Sequence, residues 1–144
     1  MALNINRNLI VDTGYWFALF DPRDCEHSKA EAKAHHIDSL RVVFPWPTLD
    51  ETLGTRFVKN KSGMDQLERS LRLPGVQLID DNPYREEALE ATFREARLGR
   101  RTISLCDMLI RLIIQDANVR IHALLTFNIR DFVDVCTSKR EEIL

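Results

Sequence analysis

Four groups of polar side chains stand where an α/β chain could do chemistry: Asp12, Glu51, Asp107, and the pair Asn128 and Asp131. Asp12 directly follows the apolar run Leu9-Ile10-Val11, and an ionised carboxylate there is costly to bury unless it is paired or binds a cation. Each position also has a plain local reading. Asp12 in Asp-Thr-Gly can serve as a turn or helix-capping residue, with Thr13 supporting it or capping the same helix. Thr48-Leu49-Asp50-Glu51 and Ser104-Leu105-Cys106-Asp107 both fit a capping box. Asn128 and Asp131 are ordinary turn residues. Together, however, acids crowded on one edge would repel one another and raise one another's pKa unless a positive charge lay between them. A hard divalent cation held by oxygen ligands, Mg2+ or Mn2+, would serve. One or two such ions could acidify water, align it with a phosphodiester and stabilise the leaving oxygen.

The elements that must deliver these groups are short strands alternating with helices. Strands are expected at Asn8 to Asp12, Val42 to Phe44, Val76 to Ile79 and Ile121 to Thr126. Helices are expected over Glu26 to Leu40 after Asp24, Leu49 to Asn60 after Thr48, Met64 to Leu73 after Ser62, and Tyr84 to Leu98 between Asn82-Pro83 and a Gly99 stop. A last helix, Leu105 to Ala117, is apolar almost all round, with a narrow polar stripe at Ser104, Asp107, Arg111 and Gln115. Such alternation implies βαβ crossovers and a central parallel sheet between two helix layers, in which ligands bind outside the carboxyl ends of the strands. On the helix wheel Leu49, Leu53 and Phe57 form one ridge, and Glu51, Thr55 and Lys59 lie about 200° away, towards a cleft or solvent.

Composition narrows the classes. The chain has 144 residues, 44% hydrophobic and 29% charged, with 20 basic against 22 acidic residues. One soluble domain spanning residues 1–144 is expected, without disorder, repeats or a rod. A pI near 6.1 excludes a binder that is basic all over. No apolar run reaches the roughly 18 residues of a membrane span, and the first twenty residues lack signal-peptide features. Cys25, Cys106 and Cys136 form neither a disulfide framework nor a zinc pattern, so a reducing cytoplasm is the expected setting.

Leu9-Ile-Val-Asp12-Thr-Gly-Tyr-Trp, Pro45-Trp-Pro-Thr-Leu-Asp-Glu51, Ile103-Ser-Leu-Cys-Asp107-Met-Leu-Ile and Leu125-Thr-Phe-Asn128-Ile-Arg-Asp131-Phe resemble, in order, the four acidic motifs of PIN-domain ribonucleases, in particular the VapC-type toxins of toxin-antitoxin pairs. The resemblance spans about residues 8 to 136. It implies a three-layer α/β/α fold with a central parallel sheet, and an acidic pocket for Mg2+ or Mn2+ in which Asp12, Glu51, Asp107 and Asp131 are catalytic ligands. Metal-dependent endoribonuclease activity and a possible cognate antitoxin follow from the same likeness, as does a homodimer. Ser104 and Thr126 match hydroxyl positions lining such pockets. If Asp131 does not reach the pocket, Asn128 completes it with an amide and a second metal is held weakly.

Other features flank these motifs. Arg56, Lys59 and Lys61, and Arg97, Arg100 and Arg101, could neutralise RNA phosphates or be solvated helix ends; Arg56, Lys59, Arg100 and Arg101 are the candidate RNA contacts. Trp16, Trp46 and Phe17 read as core, with Trp46 the one aromatic that could stack a base. His27, His35 and His36 are expected on one surface helix without a catalytic role, and Asp80 and Asp81 are expected to cap a helix. Two rival functions remain. A phosphatase with Asp12 as nucleophile would usually need a second Asp where Gly14 stands, and a non-catalytic RNA- or protein-binding module would keep the acids as a vestige.

Overall fold

The computed structural model describes residues 4–54, 56–99 and 101–144, with side chains from Arg7 onward except that of Arg56. Five strands form one sheet in the order β3-β2-β1-β4-β5, with β1 Asn4–Val11, β2 Leu40–Pro45, β3 Val76–Ile79, β4 Ile121–Leu125 and β5 Glu142–Ile143. Every neighbouring pair is parallel: Leu9 pairs with Val42 and Ala123, Phe44 with Leu78, and Leu124 with Ile143. A parallel sheet needs both faces covered, and the strand sequences provide for it. Leu9, Val11, Val42, Phe44, Ala123 and Leu125 face one core with Trp16, Phe20, Leu49 and Leu67, whereas Ile10, Val43 and Leu124 face a second with Ile110, Ile113 and Phe132.

The first core is roofed by α1 Thr13–Phe20, α2 His27–Lys33, α3 His35–Ser39, α4 Trp46–Leu53 and α5 Lys61–Leu71. The second is roofed by α7 Leu105–Gln115 and α8 Val133–Ser138, with α6 Arg85–Leu98 packed outside α7 through Ala88, Ala91, Ile103, Met108 and Leu109. Because all five strands run the same way, the segments leaving β1, β2, β3 and β4 emerge at one edge of the sheet. No helix among the described residues is long and apolar enough to cross a membrane.

Several boundaries differ from the sequence expectation. The helix expected from Glu26 to Leu40 is two, divided at Ala34, and Leu40 belongs to β2, where it pairs with Asn4. The helix expected from Leu49 begins at Trp46, with Pro47 in its first turn where a missing N–H costs nothing. It ends before Gly54, and a 3-10 turn, Arg56–Lys59, leads to α5. Ser62 does not cap α5; Asn60 does, its Oδ1 accepting from the Gly63 N–H at 3.0 Å. The helix over Tyr84 to Leu98 is a 3-10 turn, Asn82–Tyr84, followed by α6, and Gly99 ends it at φ 65°. The elements α8 and β5 have no counterpart in the sequence reading.

At Gly63 a Cβ would lie 2.8 Å from Asn60 Nδ2 and 3.0 Å from the Phe57 ring, so a side chain there would have to push the capping amide and the ring aside. Gly63→Ala should therefore displace the cap and destabilise the protein by about 1 kcal/mol, read as a fall in thermal midpoint that Ser62→Ala does not produce.

Candidate active site

Asp12 is the first residue beyond β1 and caps α1. Its backbone N–H still donates to Leu125 O at 2.9 Å, extending the β1–β4 ladder, while its carbonyl accepts from Tyr15 N. The carboxylate is held at both oxygens: Oδ1 accepts from the Thr13 N–H at 2.8 Å and Oδ2 from Thr126 Oγ1 at 2.9 Å. Asp12 is thus both the helix cap and a fixed, 8% exposed acid. Burial raises its pKa above the usual 3.8, with the charges of Glu51 and Asp131 adding to the rise and the two hydrogen bonds opposing it. The Thr13 hydroxyl is buried without a hydrogen-bond partner.

Thr126 carries the order across the site. Its Oγ1 donates to Asp12 and accepts from the Asn128 N–H at 2.9 Å, setting the turn that follows β4. Asn128 Nδ2 then donates to Asp131 Oδ2 at 2.8 Å and to Asp107 Oδ2 at 3.3 Å. The fourth motif accordingly brings both Asn128 and Asp131 to the site, with the amide between two acids. Asp107 sits in the first turn of α7, where Ser104 Oγ accepts from its N–H at 3.1 Å. Ser104 itself is exposed and acts as a cap, the half of the expected capping box that forms.

Glu51 does not cap. Because α4 starts at Trp46, Thr48 lies inside the helix, and no side chain caps its first turn. Thr48 is wholly buried and its hydroxyl has no partner. Glu51 is exposed, accepts a hydrogen bond from the Cys106 thiol and lies near enough to Asp12 and Asp107 to raise the pKa of both. Burial and the adjacent acids push the Cys106 thiol far above its ordinary range, so it is a donor and not a nucleophile.

The electrostatic signature of the cluster is at Asp107, raised to about 7 by burial and then by the charges of Asp12, Asp131 and Glu51. Among the described residues, no three His, Cys, Asp or Glu side chains stand as a ready-made metal cluster. The donor set nonetheless fits a hard divalent cation, since the oxygens are carboxylate and the repulsion that lifts Asp107 is what a cation relieves.

One further cluster holds the fourth motif in place. Arg111, four residues after Asp107 on the same stripe, donates through Nη1 to Asp131 O at 2.7 Å and grips Asp134 with both Nη atoms at 2.7 and 2.9 Å. Arg101 adds Nη2 to Asp134 at 3.0 Å and Nη1 to Arg130 O at 3.3 Å. The Arg111 hydrogen bonds hold Asp134 well below the usual carboxylate range. Sequence reasoning passed over Asp134, because its pairing with Arg111 and Arg101 joins segments far apart in the chain.

Of the candidate RNA contacts, the two whose side chains are described, Lys59 and Arg101, are not brought together. Arg101 is engaged by Asp134, and Lys59 lines a separate cleft of about 1030 Å³ with Phe17, Asp24 and Lys61, which contains none of the four acids. The side chain of Arg56, and Arg100 and Thr55 altogether, lie outside the described residues. Trp46, read as core, is 47% exposed. Neither Asp80 nor Asp81 caps the helix: Asp80 Oδ1 accepts from Asn82 N in the turn before it, and Asp81 is buried against Arg85. The three histidines divide between α2 and α3, and none joins the site.

No protein-family model matches the sequence, and no curated protein matches it significantly. Solved structures do match the fold. VapC20 of Mycobacterium tuberculosis, described as a toxin that cleaves the sarcin-ricin loop, is 18% identical, with 88% of this chain and 94% of that chain covered and a TM-score of 0.67. VapBC2 of Rickettsia felis, solved on a DNA fragment from its promoter, is 14% identical, with 95% and 97% covered and a TM-score of 0.61.

The raised pKa of Asp107 fixes the sign of a pH effect in metal-free protein. From about pH 4 to about pH 7 the folded chain keeps a proton on Asp107 that the unfolded chain has released, so this residue's contribution to stability falls as pH rises through that window. Asp107→Asn should gain in thermal midpoint over the parent with rising pH, measured in chelator; a constant difference would contradict the crowding. Asp12 with its two hydrogen-bond donors, the Asn128 bridge and the four-acid edge of an all-parallel sheet thus belong to a chain with the VapC-like PIN-domain fold.

Proposed function

We propose that this chain is a metal-dependent endoribonuclease that hydrolyses RNA phosphodiester bonds, acting as the toxin of a toxin-antitoxin pair. The observation that carries this reading is that acids from four separate segments converge closely enough for Asp12, Glu51 and Asp131 all to raise Asp107. Asp12, Asp107, Asp131 and Glu51 would hold Mg2+ or Mn2+, with Asn128 beside them. When bound, such a cation supplies positive charge to the scissile phosphate and acidifies water.

The chain's own residues prepare for this. Thr13 N–H and Thr126 Oγ1 fix the plane of the Asp12 carboxylate, so little side-chain freedom remains to be lost on loading. Asn128 Nδ2 turns Asp107 and Asp131 toward a common point, and Arg111 anchors the backbone that carries Asp131. Asp107, near 7 without a cation, holds a proton that loading must displace, so apparent metal affinity rises with pH through neutrality. A covalent route through Asp12 is disfavoured, because Gly14 stands where such a phosphatase usually needs a second Asp.

The antitoxin partner is inferred from the fold shared with the toxin and toxin-antitoxin structures, and a homodimer is proposed with it. A second reading, a binding module with a vestigial site, draws on the Asn128 amide, which already satisfies Asp107 and Asp131 in part.

RNA cleavage in Mn2+ and in chelator separates the two. Asp12→Asn should reduce Mn2+-dependent cleavage by at least about a hundredfold with the fold intact by circular dichroism; undiminished cleavage would sink the nuclease reading. Glu51→Gln should lower activity at unchanged stability, because Glu51 caps nothing. A binding module would hold RNA equally well in chelator and cut none. Arg111→Lys keeps the charge but loses the fork that spans Asp131 O and Asp134, and should weaken Mn2+ binding by isothermal titration; an unchanged affinity would remove Arg111 from the positioning of Asp131.

A further inference from the structure

Beside the acidic centre, over the ends of β2 and β3, lies a cleft of about 740 Å³, within the range of small-molecule sites. It shares Glu51 and Cys106 with the acidic cluster, so the two are contiguous. Its walls combine exposed apolar side chains with carboxylates. Trp46, on the first turn of α4, is 47% exposed, and Leu105, on the first turn of α7, is 44% exposed; both line the cleft. A half-exposed tryptophan in the first turn of a helix offers aromatic surface for stacking at little cost in side-chain freedom.

The polar lining restricts what can stack there. Asp50, one turn beyond Trp46 on the same face of α4, joins Glu51, Asp80 and Asp81 as hydrogen-bond acceptors. One cation, Arg85, stands among them, bound to Asp81 through Nε and Nη2 at 3.0 Å each, so Nη1 is the remaining edge of its fork. Four carboxylates against one guanidinium repel a phosphate. They favour an uncharged flat group that presents adjacent N–H donors and one acceptor. Guanine has this pattern on its Watson–Crick edge: N1–H and N2–H suit a carboxylate in bidentate fashion, and O6 suits a guanidinium N–H. Adenine and cytosine offer one exocyclic amino donor group beside a bare ring nitrogen that would meet a carboxylate lone pair, and uracil places a carbonyl on each side of its single N–H.

We propose that this cleft is a base-recognition subsite, in which Trp46 stacks a guanine next to the scissile phosphate while Asp50 and Arg85 read its edge. Its place in a reaction rests on the ribonuclease reading above; its ligand chemistry does not, because a nucleoside has no phosphate and needs no metal.

The test has two arms. Trp46 is the exposed one of two tryptophans, Trp16 being buried, so nucleoside stacking reports directly on it. Guanosine, adenosine, cytidine and uridine titrated into the protein in chelator should give saturable fluorescence quenching, with guanosine tighter by about tenfold. Asp50→Asn should remove that preference. Equal quenching by all four, no saturation, or a preference for another base overturns the assignment. In the second arm, cut sites in random-sequence RNA with Mn2+ should show guanine enriched at one fixed position from the break, an enrichment retained in Trp46→Phe and lost in Trp46→Ala. Cutting without that enrichment overturns the subsite and leaves the nuclease standing. Guanosine binding without any cutting does the reverse.

Discussion

Mutual repulsion among carboxylates at one edge of a parallel sheet is the constraint around which this molecule is arranged. Asp12 is nearly inaccessible to water, Asp107 is half-buried, and both feel Glu51 and Asp131, so each ionised group makes its neighbours harder to ionise. Nothing in the apolar architecture requires such a cluster. It persists because every member has a compensating donor: Thr13 N–H and Thr126 for Asp12, Asn128 for Asp107 and Asp131, and the Cys106 thiol for Glu51. These are neutral donors, which soften the repulsion without cancelling it. The residual negative potential is what would draw a cation.

The surrounding fold makes that tension sustainable. Two apolar cores clamp the sheet, and the strands that end in the site, β1 and β4, lie at its centre with fully buried residues at Leu9, Ile10, Leu124 and Leu125. A rigid base of this kind can hold charged groups at positions they would not choose in solution. On the open side the Arg111, Asp134 and Arg101 cluster ties the turn after β4 to α7 and to the segment before it. Among the described residues, Arg101 and Arg111 are therefore spent on structure and not left facing the acids, which helps keep the cluster negative.

The position of α4 has consequences on both sides of the site. By starting at Trp46, the helix buries Thr48, frees Glu51 from capping and leaves Trp46 on the surface. One boundary, three residues earlier than the local pattern suggests, thus turns a helix-start motif into the shared wall of an acidic centre and an aromatic cleft.

Much of this was legible in the residues themselves. Leu9-Ile10-Val11 before Asp12, the near-continuous apolar helix carrying Asp107, and the alternation of short β-prone runs with capped helices were enough for a parallel α/β/α fold and for raising the four acids as candidates, because apolar periodicity is a local property of the chain; their role as ligands came only with the motif resemblance. Asn60 in place of Ser62 at a cap, the break at Ala34, and β5 were not legible, since each depends on what packs or pairs across the fold: a Phe57 ring over Gly63, a β1 partner for Leu40, a β4 partner for Ile143. The basic clusters show the same limit. Arg101 and Lys59 are near site motifs in sequence, but one is held by Asp134 and the other lines a different cleft. Residue types and spacing determined which side chains could ionise or coordinate; only the tertiary structure decided which of them share one electrostatic field, because that field falls with distance through space and not along the chain.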